Sequence, residues 1–182
     1  YYVVIMSLAN TVALAKHAPY ILPYSVDLTG YETIFKDATF FQALGTTLFV
    51  TVVGVAINMT LSILGAYALS KKYLPGRNLF LGIILFTMLF SGGLVPSYLN
   101  IKSLGLINNV WTMILPTAIG TYYMIIMKNY FSSLPESLEE AAKLDGANAF
   151  AILIKIVVPI SKPFIATFSL FYAVERWNEW YN

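Results

Sequence analysis

Three long stretches without a charged side chain constrain this sequence more than any other feature. No Asp, Glu, Lys or Arg occurs between Asp37 and Lys71, between Arg77 and Lys102, or between Lys102 and Lys128. Each stretch supplies the roughly 20 residues that an α-helix needs to cross the hydrocarbon core of a bilayer. Only 11% of the residues are charged and 58% are hydrophobic, whereas a soluble domain has about a quarter charged residues. The sequence therefore predicts an all-α polytopic membrane protein.

The breaks between apolar segments predict about five membrane-crossing helices. Residues 19–37 have the composition of a solvent-side loop, residues 101–109 form a polar re-entry, and Pro116 and Gly120 mark kinks in the fourth helix. We expect both ends of the chain to be truncated within a helix. The predicted helices are residues 1–15, 38–70, 78–90, 110–131 and the stretch from Pro163 onward.

The basic residues predict the orientation of these helices. Cytoplasmic segments of membrane proteins carry an excess of Lys and Arg. If the turn at residues 71–77 is cytoplasmic, alternation places residues 132–162 on the same side. That side then holds Lys71, Lys72, Arg77, Lys128, Lys143, Lys155 and Lys162, and the other side holds Lys16, Lys36, Lys102 and Arg176.

Composition also excludes several kinds of site. The chain has no cysteine and a single histidine, His17, so disulfides, thiolate metal sites, a three-histidine metal centre and a Ser-His-Asp triad are not expected. A net charge of +2 gives no support to nucleic-acid binding, which needs a concentrated basic face. We predict no catalytic residue, no metal site and no nucleic-acid partner.

A short acidic helix interrupts the apolar sequence at "SLEEAAKLDGANAFAILIKIVVP", residues 137–159. Ser133 and Glu136 have the spacing of a capping box, which predicts the start of this helix. Gly146 has the place of the C′ residue that lets the chain turn. A second short helix is predicted at residues 148–158, ended by Pro159 and lying along the inner membrane surface.

The acidic helix has two faces at helical spacing. An amphipathic helix resting on lipid normally has a basic polar face, which matches anionic headgroups. This helix is acidic instead, which favours a protein partner with basic groups. The apolar face carries Leu134, Leu138, Ala141 and Ala142, and the polar face carries Glu136, Glu139, Glu140 and Lys143.

This segment resembles the EAA loop of ATP-binding-cassette (ABC) importer permeases, E-A-A-x₃-G-x₉-I-x-L-P. The one departure is Val158 in place of leucine. The stretches "FTMLFSGGLVPSYLNIKSLGLINN" and "RWNEWYN" are similar to the carbohydrate-uptake branch of these permeases, particularly those handling oligosaccharides. The motif residues, which the resemblance assigns to ATPase coupling, are Glu140, Ala141, Ala142, Gly146, Ile156 and Pro159.

The resemblance implies the type I ABC importer permease fold, with residues 1–182 forming one transmembrane domain and residues 132–162 its cytoplasmic coupling loop. It implies a plasma-membrane protein that moves solute by alternating access. The implied partners are a second permease subunit, a pair of ATPase subunits and an extracytoplasmic solute-binding protein. No P-loop pattern occurs in the sequence, so ATP and Mg²⁺ are expected on the ATPase subunit and no cofactor is expected in this chain.

Polar and aromatic residues of the last helix are candidates for a solute pathway. Residues 175–178 lie about a dozen residues into it, or ~18 Å at 1.5 Å per residue, and ionisable groups at that depth usually face a bundle interior or a water-filled path. The alternative is an interfacial aromatic belt with a surface ion pair. The candidates are Glu175, Arg176, Trp177 and Asn178, with Tyr122 and Tyr123 from the fourth helix.

Other interpretations stay open beside these. Tyr122 and Tyr123 each fit aromatic packing between helices, and Asn58 is typical of a residue that hydrogen-bonds neighbouring helices. For the function, the alternatives are an importer of another solute, such as a peptide or an amino acid, and a membrane scaffold that recruits a cytoplasmic partner. An intramembrane enzyme would need a catalytic cluster, which the sequence does not contain.

Overall fold

The computed structural model describes residues 2–8, 26–90 and 92–179. They fall into two units, residues 1–46 and residues 47–182. The predicted end of the first helix near Lys16, the histidine His17 and the start of the loop at residues 19–37 lie outside the described residues. The helices are α1 (Tyr2–Ser7), α2 (Thr29–Lys36), α3 (Ala38–Ser70), α4 (Arg77–Leu89), α5 (Leu94–Ser103), α6 (Thr121–Ser133), α7 (Glu136–Leu144), α8 (Ala149–Ile160) and α9 (Lys162–Trp177).

Helix α3 has the bounds that the sequence predicted. The Thr39 backbone N–H donates to Asp37 Oδ1 over 2.8 Å, which satisfies one of the donors that the first turn of a helix leaves unpaired. The helix then runs without a charged residue for 33 residues. After Ser70 the chain enters a turn that ends at Gly76, where φ is +72°. The local sequence thus determines both ends of α3, the longest of the described helices.

One described helix, α3, is long and apolar enough to cross a membrane by itself. Two further pairs pass the same test only if both helices of the pair count as one span. The chain bends by 118° between α4 and α5, and by 85° between α8 and α9. Residues 2–8, 26–90 and 92–179 therefore hold one to three candidate spans, whereas the sequence predicted about five crossing segments.

The predicted helix at residues 110–131 is wrong in its first half. A 3₁₀ turn covers Val110–Met113, and α-helix begins only at Thr121. Pro116 has no N–H to donate and disfavours helical geometry in the residue before it, and Gly120 is extended, with φ −78° and ψ 96°. Pro116 and Gly120 therefore bound an interruption of the helix rather than a kink within it.

The predicted capping box at Ser133 is also wrong. Ser133 belongs to the last turn of α6, and its Oγ donates to the Tyr130 carbonyl over 2.8 Å. Leu134 is extended because the residue before a proline avoids helical geometry. Helix α7 consequently begins at Glu136, without a side-chain cap.

The predicted turn at Gly146 is confirmed. Gly146 has φ +79°, its N–H donates to the Lys143 carbonyl over 3.0 Å, and the Ala147 N–H donates to the Ala142 carbonyl over 2.9 Å. This pair of bonds is a Schellman motif, which needs a left-handed residue at C′. The chain is thereby redirected from α7 into α8.

Helix α8 starts at the predicted place but does not end at Pro159. Asn148 caps it, since its Oδ1 accepts from the Ala151 N–H over 2.8 Å. A π-helical turn, Leu153–Val157, precedes the proline, and the helix continues to Ile160. Pro159 has no N–H for an i→i−4 bond; the chain bends at Ser161 instead, and α9 follows from Lys162.

A hydrophobic core lies within residues 47–182, where α3, α6, α7 and α8 meet. The rings of Tyr130 and Phe164 stack at 4.0 Å, and those of Tyr67 and Phe131 meet edge to face at 6.5 Å. Helix α4, in contrast, has no buried residue. The core includes Ala66, Tyr67, Leu69, Met127, Phe131, Ala142, Ile152, Leu153 and Val157.

Candidate functional site

A cavity of about 660 Å³ lies among α3, the segment that leads into α6, and the C-terminal end of α9. Five of the six residues predicted for the solute pathway line this cavity. Trp177, the sixth, is not part of the lining, and its side chain is 49% exposed. The five are Tyr122, Tyr123, Glu175, Arg176 and Asn178.

Arg176 is the most heavily bonded side chain of the cavity and is only 3% exposed. Its Nη1 donates to the Met113 carbonyl over 2.6 Å and to Thr117 Oγ1 over 2.5 Å. Its Nη2 donates to the Thr117 carbonyl over 2.8 Å and to Asn58 Oδ1 over 3.0 Å. Glu179 Oε2 lies 2.8 Å from Nη1 and balances the charge.

These bonds supply donors that the broken helix lacks. Between Met113 and Gly120 the backbone is not α-helical, so its carbonyls have fewer donors from their own segment. Non-helical backbone at membrane depth is tolerated where protein groups or water satisfy it. The guanidinium provides several N–H donors in one plane, and a positioning role therefore fits Arg176 better than the direct solute contact suggested by its sequence position.

Gly54 leaves room for the Arg176 side chain against α3. A Cβ at Gly54 would lie 3.2 Å from Arg176 Nε and 3.3 Å from Cδ. Asn58, one turn further along, also donates from Nδ2 to the Thr117 carbonyl over 3.2 Å. Asn58 thus hydrogen-bonds neighbouring segments, as its place in a transmembrane helix predicted.

The tyrosines of the cavity differ in their surroundings. The Tyr123 ring meets those of Tyr172 and Phe168 edge to face, at 4.9 Å and 5.6 Å, and stacks on Phe171 at 6.1 Å. Tyr122, in contrast, is 61% exposed. Aromatic packing therefore accounts for Tyr123, whereas Tyr122 meets only the edge of the Tyr123 ring, at 5.7 Å, in the described rings and stays largely exposed at the cavity.

Tyr172 closes the inner wall of the cavity. Its hydroxyl shares a hydrogen bond of 2.8 Å with Ser62 Oγ and donates to the Gly120 carbonyl at 3.4 Å. A Cβ at Gly120 would lie 2.7 Å from this hydroxyl, closer than such contacts occur. A glycine is thus required where α6 approaches α9.

Thr117, Tyr172 and Glu179 were missed by reasoning from the sequence. The spacing of Phe168, Tyr172 and Arg176 was the available signal, because residues four apart lie on one helix face. All three are buried. Thr117 had no comparable signal, since its role arises from the interruption of the helix.

A second group of residues lies at the other end of α3, where α7 meets the turn at residues 71–77. Lys71 pairs with Glu139, and Lys72 pairs with Glu136 over 3.2 Å. The turn and α7 therefore lie at the same end of the molecule, as alternation of the helices predicted. Here a cavity of about 320 Å³ is lined by residues of both elements, including Lys143.

The predicted polar face of α7 needs a correction. Glu139 is turned toward Lys71 and its side chain is only 15% exposed, so that part of the acidic character is balanced within the chain. Glu140 remains exposed and has no ion pair among the described residues. Of the predicted contact residues, Glu140 is thus the acidic group best placed to meet a partner.

The other residues of the EAA-like motif fall into two groups. Ala142 is buried in the core, and Ile156 packs against it. Ala141, Gly146 and Pro159 are exposed. The motif therefore has an exposed part on α7, on the turn at Gly146 and on α8, and a buried part that packs in the core.

Comparison with known proteins places this chain in a family. The family model described as "Binding-protein-dependent transport system inner membrane component" matches residues 73–180. Protein LplC of Bacillus subtilis is 44% identical over 181 residues, 100% of this chain and 61% of its own length. The polygalacturonan/rhamnogalacturonan transport system permease protein YtcP of Bacillus subtilis is 46% identical over 177 residues, 97% of this chain and 62% of its own length.

A solved structure agrees with the family match. The crystal structure of a bacterial ABC transporter involved in the import of the acidic polysaccharide alginate includes a chain that is 38% identical, with a TM-score of 0.94. The match covers 99% of this chain and 64% of that chain. This chain thus spans less than two thirds of the length of these relatives and has the fold of an ABC importer permease. It belongs to the binding-protein-dependent transport system inner membrane component family.

Proposed function

We propose that the protein is a transmembrane permease subunit of an ATP-driven importer for carbohydrate, in particular oligosaccharide. The observation that carries this proposal is the 660 Å³ cavity, which combines the exposed ring of Tyr122 with the polar groups of Glu175 and Asn178. Aromatic faces and directional hydrogen-bonding groups suit sugars, and a few placed polar groups determine orientation in such pockets. Two relatives support a carbohydrate by their names: the polygalacturonan/rhamnogalacturonan transport system permease protein YtcP and the trehalose transport system permease protein SugB of Mycobacterium tuberculosis.

The protein acts as a multi-pass plasma-membrane subunit whose coupling loop, residues 132–162, faces the cytoplasm. The exposed Glu140 and the surface of α7 and α8 meet an ATPase subunit, which holds ATP and Mg²⁺ and performs the hydrolysis. This chain contributes no catalytic residue and no cofactor site. A second permease subunit, a pair of ATPase subunits and an extracytoplasmic solute-binding protein complete the importer, and lipid covers apolar faces such as that of α4.

Movement of solute follows from alternating access. Closure of the ATPase pair displaces the coupling loop, and the helices around the cavity change which side of the membrane it opens to. The cavity lies roughly 20 Å from the coupling end along α3, at 1.5 Å per residue between Lys71 and Asn58. Coupling therefore has to cross most of the membrane thickness through this chain.

Reconstitution tests the proposal. The full-length protein is purified with its ATPase and second permease subunits, placed in lipid vesicles with the binding protein, and supplied with rhamnogalacturonan, alginate and trehalose oligosaccharides or with dipeptides. We expect ATP hydrolysis and uptake to rise with a carbohydrate. Stimulation by dipeptides alone would assign another solute, and failure to assemble with any ATPase would favour a scaffold.

A further inference from the structure

Two ion pairs join α7 to the turn that follows α3, and they differ in exposure to water. Lys71 and Glu139 have side chains that are 13% and 15% exposed. Lys72 and Glu136 have side chains that are 83% and 76% exposed. Both pairs join the same turn to the same helix, about one helical turn apart, so the exposed pair is a matched control for the part-buried one.

Lys71 is held from two sides. Its Nζ lies 4.2 Å from the centroid of the Tyr67 ring, within the range of a cation–π contact, and it donates to Glu139 Oε1. Removing one partner of a pair that is mostly shielded from water leaves a charge with little compensation and is unfavourable. The exposed pair of Lys72 and Glu136 is screened by water and contributes little.

Packing beside the pair of Lys71 and Glu139 supports the same attachment. Ala142, one turn beyond Glu139, is buried in the same cluster as Tyr67 and Phe131. An apolar contact and a part-buried ion pair therefore attach α7 to the end of α3 and to the turn that follows it. Glu140, the neighbour of Glu139, is exposed at the edge of this joint, where it lines the cavity between α7 and the turn without an ion pair among the described residues.

Helix α3 leads from this joint to the cavity without a break. It ends at Ser70, directly before Lys71, and it contains Asn58, which accepts a hydrogen bond from Arg176 over 3.0 Å. A displacement of α7 that reaches Lys71 consequently acts on a continuous helix whose other part holds the cavity wall.

We propose that Glu139 is a positioning residue for coupling. Its pair with Lys71 attaches α7 to α3, so that movement of α7 by the ATPase reaches the cavity through α3. Glu139 acts inside the chain, whereas Glu140 faces the ATPase. This inference rests on the proposed function and assigns different roles to two adjacent glutamates of one motif.

The experiment measures how nucleotide changes access to the cavity, independently of the identity of the solute. In the complex with the ATPase, Asn178→Cys provides a thiol at the cavity, with any cysteine elsewhere in the full-length protein replaced. Its rate of labelling by a maleimide is compared with and without ATP and vanadate. The comparison is repeated with Glu139→Gln, with Glu136→Gln, and with the exchanged pair Lys71→Glu and Glu139→Lys.

We expect ATP and vanadate to change the labelling rate about tenfold, in the range of typical coupling between sites. Glu139→Gln should reduce that response to less than about twofold while the ATPase still co-purifies, and Glu136→Gln should keep it. The exchanged pair should restore the response, because it re-forms an oppositely charged pair at the same place.

Four outcomes overturn the inference. In the first, the labelling of Glu139→Gln responds to ATP and vanadate as that of Glu136→Gln does. In the second, Glu139→Gln no longer co-purifies with the ATPase, which would make Glu139 a docking contact. The exchanged pair and Glu139→Gln both fail to accumulate in the membrane, which would make the pair a requirement for folding. The parent protein shows no response to ATP and vanadate, which separately overturns the proposed function on which this inference rests.

Discussion

Arg176 donates to the backbone carbonyl of Thr117 over 2.8 Å, and so joins the last described helix to the segment where the predicted fourth helix is interrupted. Segment 114–120 is a loop at the depth of the cavity, and an unsatisfied carbonyl there is costly. The same guanidinium reaches Met113 and Asn58. One side chain thus stabilises the geometry that opens the cavity.

Arg176→Met should destabilise the protein and abolish uptake. The change leaves the carbonyls of the loop and Glu179 without this donor, and breaking a buried pair costs on the order of 3 kcal/mol. Arg176→Lys should be intermediate, since an ammonium keeps the charge but lacks the planar set of donors. Thermal unfolding in detergent and vesicle uptake measure both effects. Glu175→Gln, at the exposed neighbouring position, is the control for stability alone, and equal unfolding temperatures for all three variants would contradict the positioning role.

Tyr122→Ala and Asn178→Ala should weaken solute binding, whereas Trp177→Ala should not. Asn178 Nδ2 donates to the Val174 carbonyl over 2.7 Å, which leaves Oδ1 available to a sugar hydroxyl. Loss of one such hydrogen bond should raise the KM of uptake roughly fivefold. Trp177 lies outside the cavity lining and should change KM by less than about twofold, as is usual for surface positions. A large effect of Trp177→Ala alone would move the pathway to the other face of α9.

Gly146→Val should abolish transport although the ATPase still binds. The φ of +79° at Gly146 costs a β-branched residue about 1–3 kcal/mol, so α8 would leave its position relative to α7. Gly146→Asn should keep transport, since asparagine adopts left-handed geometry more readily. Uptake and ATP hydrolysis are measured on the same vesicles. Normal uptake by the valine variant would show that the turn does not need this geometry.

Glu140→Lys should weaken association with the ATPase. Glu140 is the exposed glutamate of α7 without an ion pair among the described residues, whereas Glu136 and Glu139 pair with lysines of the same chain. Reversal of the charge at Glu140 should therefore act chiefly on a partner. Co-purification at low and high salt measures the effect, because exposed charges are screened by salt. Glu32→Lys, a reversal at an exposed position of α2, is the control. Equal recovery of the ATPase with both variants would exclude Glu140 from the contact.

Single cysteines should report the orientation of the chain. Lys72→Cys and Lys143→Cys should be protected from an impermeant thiol reagent added to intact cells, because an excess of basic residues marks the cytoplasmic side. Lys36→Cys and Lys102→Cys should be labelled. Permeabilised cells give the total for each variant, and labelling of Lys143→Cys from outside would invert the orientation.

Elements bounded by local chemistry could be predicted from the sequence. Helix α3 lies between the Asp37 cap and the Lys71 turn, and the left-handed residue at Gly146 follows from a glycine after a short helix. In both places the deciding interactions involve residues close in the chain. The EAA-like motif predicted the family because its residues, too, lie close together in the chain and can be recognised by their spacing.

Features that depend on distant residues could not be predicted in this way. The helix at residues 110–131 is interrupted at Pro116 and Gly120, and non-helical carbonyls within and just before this stretch are satisfied by Arg176, which lies far along the chain. The sequence alone assigned Glu139 to contact with a partner. Its ion pair with Lys71 could not be predicted, because only the fold brings these two residues together. Ser133 failed as a cap because α6 extends through it.

The contact between Gly120 and Tyr172 limits how this family member can vary. Tyr172 fills the space that a side chain at position 120 would occupy, with its hydroxyl 2.7 Å from the place of a Cβ. A larger residue at 120 is compatible with the fold only if a smaller one replaces Tyr172, and Ser62 then loses its hydroxyl partner. The three positions should therefore change together among relatives, so that a difference at one of them predicts differences at the other two.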